Sequence, residues 1–154
     1  VTDAPDPGLL PALRRLLLGL VAFVMLGTVV DLLLLEHYEE AWQWMPLLML
    51  GAALAVAAWA ALAGTARAVL AFRIAMLFVA ATGLLGVFIH FSGSREFQIE
   101  MDPALTGWAL FVKVMRAKAP PTLAPAAMVQ VGLFGLLYTW RHPALGVPPN
   151  GVVK

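Results

Sequence analysis

The sequence predicts an all-α integral membrane protein: four transmembrane helices in an up-down-up-down bundle, with a short extra helix in the outer loop between spans 3 and 4. Composition is the first reason. The 154 residues are 62% hydrophobic and 12% charged, with a mean hydropathy of +0.88, whereas about a quarter of the residues of a soluble domain are charged. The second is a series of long apolar runs, each of helix-spanning length. The third is that basic residues flank alternate ends of these runs, as the positive-inside rule requires of a polytopic protein.

The chain reads as a single domain, 1–154, with spans at about 10–37, 46–64, 69–91 and 122–140. In span 1, Leu16 to Leu35 is interrupted by one charge, Asp31. At 1.5 Å per residue such a run matches a hydrocarbon core of roughly 30 Å. The preceding "VTDAPDPGLLPALRR" carries acids and prolines, and no small-residue cleavage signature follows, so a removable signal peptide is not expected. Span 2 opens on Pro46, which suits a first helical turn because its missing N–H would have been unpaired there anyway. Span 3 carries no charge from Ile74 to Phe91 unless His90 is protonated, and Pro125 falls early enough in span 4 not to break it.

The link after span 3 divides into "SGSREFQIEM", read as loop, and a helix at about 103–117. Asp102 and Pro103 form an N-cap and N1 pair, and Lys113, Arg116 and Lys118 crowd the far end, as helix termini prefer. Leu105, Trp108, Ala109, Val112 and Met115 make one apolar stripe, with Leu110 and Val114 on the opposite side, so the helix is apolar on two faces. Such a helix could lie among lipid headgroups or be covered by a partner.

Arg14 and Arg15 precede span 1, Arg67 and Arg73 lie around the link between spans 2 and 3, and Arg141 follows span 4. The link between spans 1 and 2 holds no Lys or Arg. Both termini are therefore expected in the cytoplasm of a bacterial cell, with the bundle in its inner, cytoplasmic membrane and the acidic "EHYEE" facing outward. Small residues in "GAALAVAAWAALAG", Gly83 and Gly86, and Gly132 and Gly135 would let the helices pack closely.

Several classes of function are excluded. The chain has no cysteine, which removes disulfides, thiolate metal sites and thiol redox chemistry. Its net charge of +1, from 10 basic and 9 acidic residues, argues against a nucleic-acid partner. Serines are confined to Ser92 and Ser94, methionines form no MxxM run, and no glycine loop suited to phosphate is present.

Two polar features remain. His37 ends span 1 and His90 ends span 3, and parallel spans of a four-helix bundle often lie diagonally, so residues at equal depth can converge. With Glu36, Glu96 and Glu100, and with Glu39, Glu40 and Asp102 nearby, they offer imidazole and carboxylate ligands for a metal, or two axial ligands for a haem, at the outer face. The second feature is Asp31. A carboxylate inside a span should face protein or water, with Gln130 and Thr82 as candidate neighbours. His142, Trp42, Trp44 and Tyr38 read as interface anchors.

Three readings follow. The first is a non-catalytic subunit or binding protein of a membrane assembly, contacting lipid and a protein partner or a second copy through the outer helix and the small-residue faces. The second is an outward metal or haem site on His37, His90, Glu36, Glu96 and Glu100. The third is an oligomeric transporter using Asp31 and Gln130.

Overall fold

A computed structural model describes residues 8–117 and 122–146. The described residues are helical, without strands: α1 Leu9–Leu34, α2 Trp44–Ala63, α3 Ala66–Met101, α4 Gly107–Met115 and α5 Leu123–Thr139, with 3₁₀ turns at Ala41–Gln43 and Pro143–Leu145. Three segments, Leu9–Leu34, Ala41–Ala63 and Ala66–Met101, are long and apolar enough to cross a membrane, and α5 is apolar but shorter. This architecture is compatible with a helical membrane protein. Lys118 lies outside the described residues.

The local sequence explains the helix ends. Gly64, at φ 58°, caps α2 in a left-handed conformation open to a residue without Cβ, and Thr65 accepts a 3.3 Å hydrogen bond from the Ala68 N–H to start α3. α1 ends differently. The His37 N–H donates to the Leu32 carbonyl at 2.9 Å and the Glu36 N–H to the Leu33 carbonyl at 3.1 Å, a Schellman turn. Glycine usually occupies its left-handed position. Here Glu36 does, at φ 52°.

α1 packs on α2 and α5, and α3 packs on the same two helices, so α1 and α3 lie across from one another. The buried side of α1 is Leu18, Val21, Met25, Thr28 and Leu32, stepping by three and four residues. Facing it are Leu50, Ala53, Ala57 and Ala60 of α2, and Phe72, Met76 and Val79 of α3. The tightest seam joins α3 and α5, which run antiparallel. A Cβ on Gly132 would stand 2.7 Å from the Met76 carbonyl oxygen, and one on Gly83 would stand 2.7 Å from that of Pro125. Arg73 ties the same pair of helices, its Nη2 donating to the Thr139 carbonyl at 2.6 Å and its Nε to Thr139 Oγ1 at 3.1 Å.

Two sequence expectations need correction. α3 does not stop near residue 91; it continues to Met101, 36 residues or about 54 Å. "SGSREFQIEM" contains no proline, and its charged and amide residues are good helix formers, so nothing breaks the ladder before Asp102. Asp102 then closes α3 rather than opening the next helix, its Oδ1 accepting from the Ala104 N–H at 3.2 Å. α4 accordingly starts at Gly107, not Pro103. It buries Leu110 and Val114 against α3 and leaves Trp108 75% exposed, so the face toward the protein is not the one carrying the longer stripe.

Candidate functional site

His37 and His90 come together. Their ring centroids are 6.1 Å apart with the planes inclined by 33°. His90 is carried by α3, about three turns before its end at Met101, and His37 by the turn that leaves α1. The Schellman turn reverses the chain over the end of α1, so that His37 borders the space between the helices rather than continuing outward.

That space is a cavity of about 200 Å³ to which all the long helices and α5 contribute. Thr28 and Leu32 come from α1, Met45 and Pro46 from α2, Thr82, Gly86 and Ile89 from α3, and Leu123, Pro125 and Met128 from α5. The walls are mostly apolar, and the two imidazoles and two threonines supply the polar groups. The Thr28 hydroxyl is occupied, donating to the Val24 carbonyl at 2.9 Å.

Trp42 also borders the cavity and meets His37 edge-on, with centroids 5.9 Å apart. Its indole N–H donates to Glu40, and the Glu40 N–H donates to Gln43 Oε1 at 3.0 Å, which secures the 3₁₀ turn. Glu40 therefore positions Trp42, and Trp42 flanks His37. The sequence placed Trp42 in an interface belt. Its offset of five residues from His37 across a reversing chain carries no helical or strand periodicity, so only the turn geometry exposes its role.

The carboxylates proposed as further ligands do not join the histidines. Glu96 and Glu100 are exposed on α3, six and ten residues beyond His90, or about 9 and 15 Å along the helix axis. A loop could have folded them back, but a continuous helix carries them away. Glu36 is exposed and does not border the cavity. Among the described residues, no group of three or more His, Asp or Glu is placed to hold a metal ion.

Asp31 and Gln130 are likewise apart from the cavity. Both side chains are exposed, and among the described residues no hydrogen bond joins them. Each stands one residue, some 100° of helical rotation, from a buried neighbour, Leu32 and Val131 respectively. Thr82 lines the cavity, and among the described residues no hydrogen bond joins it to either.

Burial, and then the neighbouring His90, hold the His37 imidazole below its ordinary pKa of 6.5. A neutral ring presents one N–H donor and one acceptor nitrogen. At the opposite end of the molecule, His142 caps the last 3₁₀ turn, its Nδ1 accepting from the Ala144 N–H at 3.2 Å. Desolvation, followed by Arg14 and Arg73, lowers its pKa below 6.5 too. This cap works only while Nδ1 is unprotonated.

Both shifts have one consequence for stability. A histidine whose folded pKa is depressed binds fewer protons folded than unfolded, so its contribution is complete above about pH 6.5 and is lost as pH falls through the folded value. Thermal midpoints in detergent are expected to fall on acidification below pH 6.5. His142→Asn, which keeps an acceptor for the Ala144 N–H without titrating in this range, is expected to flatten part of that slope. An unchanged slope in His142→Asn would remove the cap from the explanation.

Comparison with protein-family models, with curated proteins and with solved structures finds no match.

Proposed function

We propose that the chain is a four-span, up-down-up-down membrane protein that binds one small ring compound with a hydrogen-bonding oxygen, a phenol or a quinone headgroup, in its outer cavity. On this reading it sits in a bacterial cytoplasmic membrane with both termini inside, and serves as a binding protein or subunit of a membrane assembly. The observation that supports it best is the meeting of His37 and His90 beside an apolar cavity shared by α1, α2, α3 and α5. Ligand sites between helices typically combine apolar walls with a few convergent polar groups.

Size selects the occupant. An apolar cavity of about 150 Å³ holds benzene, so the volume here, about 200 Å³, suits one substituted ring and is far too small for a tetrapyrrole. The neutral His37 imidazole can donate to a carbonyl oxygen or accept from a phenol, while leucine, methionine and proline side chains line the space for the ring. A second reading, a metal ion between the histidines, draws on their 6.1 Å separation. Two metal–nitrogen bonds of about 2.0–2.1 Å would separate such rings by roughly 6 Å. It would leave the remaining coordination positions to water.

The test is a fluorescence titration of detergent-purified protein with a one-ring quinone carrying a short tail, because Trp42 lies at the cavity. Saturable quenching is expected, largely lost in Trp42→Phe. His37→Ala and His90→Ala should each weaken binding about fivefold, the worth of one net hydrogen bond. Non-saturable quenching that is identical in the double histidine variant would sink the ring-binding reading. Stoichiometric metal by elemental analysis, lost in the same variants, would favour the ion instead.

A further inference from the structure

The end of the molecule away from His37 and His90 carries a second concavity, a groove of about 650 Å³ between α1 and α2, bordered at one end by Tyr138 and His142. Arg14 and Arg15 stand at that end, and the floor running away from them is made of small residues, among them Gly19, Ala22 and Ala58. Among the described residues, no acidic side chain borders it. We propose that this groove binds one anionic phospholipid, its phosphate against Arg14 and Arg15 and one acyl chain along the Gly19 and Ala58 floor.

Length and charge both point to a lipid. From Pro11 to Ala22 along α1 the groove extends about 16 Å, the depth of one leaflet of a hydrocarbon core roughly 30 Å thick. Guanidinium groups at its shallow end and apolar surface below them repeat the polarity of a phospholipid from headgroup to chain. Arg14 is held in place, its Nη2 donating to the Arg141 carbonyl at 3.1 Å, which leaves its other N–H groups for a phosphate. The same positive field from Arg14 and Arg73 contributes to the lowered pKa of His142. Basic pockets between membrane helices bind anionic headgroups elsewhere by this chemistry.

The experiment is native mass spectrometry of the full chain in detergent, titrated with phosphatidylglycerol and with phosphatidylcholine of matched acyl chains. One arginine near an anionic headgroup is worth about fivefold. Wild type should therefore retain one phosphatidylglycerol with a preference of roughly thirtyfold, and Arg14→Gln with Arg15→Gln should abolish the preference. Arg15→Gln alone, which breaks no hydrogen bond among the described residues, should cut it about fivefold and guards against a folding defect in the double variant. Ala58→Phe should fill the floor and weaken both lipids. Equal affinity of wild type for the two lipids, or a preference that survives in the double arginine variant, would overturn the proposal. So would a dimer that forms without lipid and is lost in Ala58→Phe, which would assign the groove to a second copy.

Discussion

Gly132→Leu is expected to lower the thermal midpoint in detergent sharply and to reduce the monodisperse fraction. The reason lies in what a side chain would meet. A Cβ at residue 132 would stand 2.7 Å from the Met76 carbonyl oxygen, 2.7 Å from the Ala80 Cβ and 2.8 Å from the Ala80 nitrogen. Two of those atoms are helix backbone, which cannot turn aside as a flexible side chain does, so α3 and α5 would have to separate along the seam that also contains Gly83. Overpacking a tight core costs about 1–3 kcal/mol, occasionally more. A leucine forced between two backbones belongs at the top of that range, about 3 kcal/mol. Gly132→Ala should show a smaller loss in the same direction, because the gain in helix propensity of roughly 0.5–1 kcal/mol does not relieve the clash. Gly27→Leu is the control. Nothing lies within 4 Å of a Cβ there, so its thermal midpoint should stay close to wild type. A wild-type melt for Gly132→Leu would show that the helices are not in contact at this seam.

The same seam illustrates what a linear reading can and cannot recover. Glycines at 83, 86, 132 and 135 marked close helix approach, because small residues have few other reasons to sit in apolar spans. All four face the opposing helix, Gly83 and Gly86 toward Pro125 and Gly132 and Gly135 toward Met76, but only the antiparallel pairing of α3 with α5 determines which glycine meets which residue. The approach of His37 to His90 was legible for a comparable reason: the expected bundle runs spans 1 and 3 parallel, and the end of α1 does stand beside His90. The carboxylates misled because Glu96 and Glu100 were close to His90 in sequence, and closeness along a helix is distance along an axis. "SGSREFQIEM" has the composition of a loop in its first three residues and of a helix afterwards. A helix already running from Thr65 needs a breaker to stop, and the first one is Asp102. Trp42 read only as an interface anchor and Glu40 only as a carboxylate near His37, because an unusual left-handed Glu36 sets the path of the chain between them and α1.

Asp31→Leu is expected to stabilise the protein, by about 2 kcal/mol. In the interior of a membrane span an aspartate costs about 2.5–3.5 kcal/mol at the centre and less toward either end. Asp31 stands three residues before the end of α1, about 5 Å along its axis. Had its carboxylate faced a polar interior, replacing it would remove a working group and its partners. Instead it projects outward beside exposed Val30 and Leu34, away from the cavity and from Gln130. A leucine there extends an apolar surface that already includes Leu20, Phe23 and Leu26. The measurement is resistance to thermal denaturation in detergent and in lipid bilayers, with Asp31→Asn expected between wild type and leucine. Binding of the ring compound should be unchanged, because Asp31 does not border the site that His37 and His90 share. Cation flux across liposomes, equal in wild type and Asp31→Asn, would separate this surface role from a transport pathway. A large loss of stability in both Asp31 variants would mean that the carboxylate is held by another chain in the membrane, and α1 would then be an assembly face rather than a lipid-facing one.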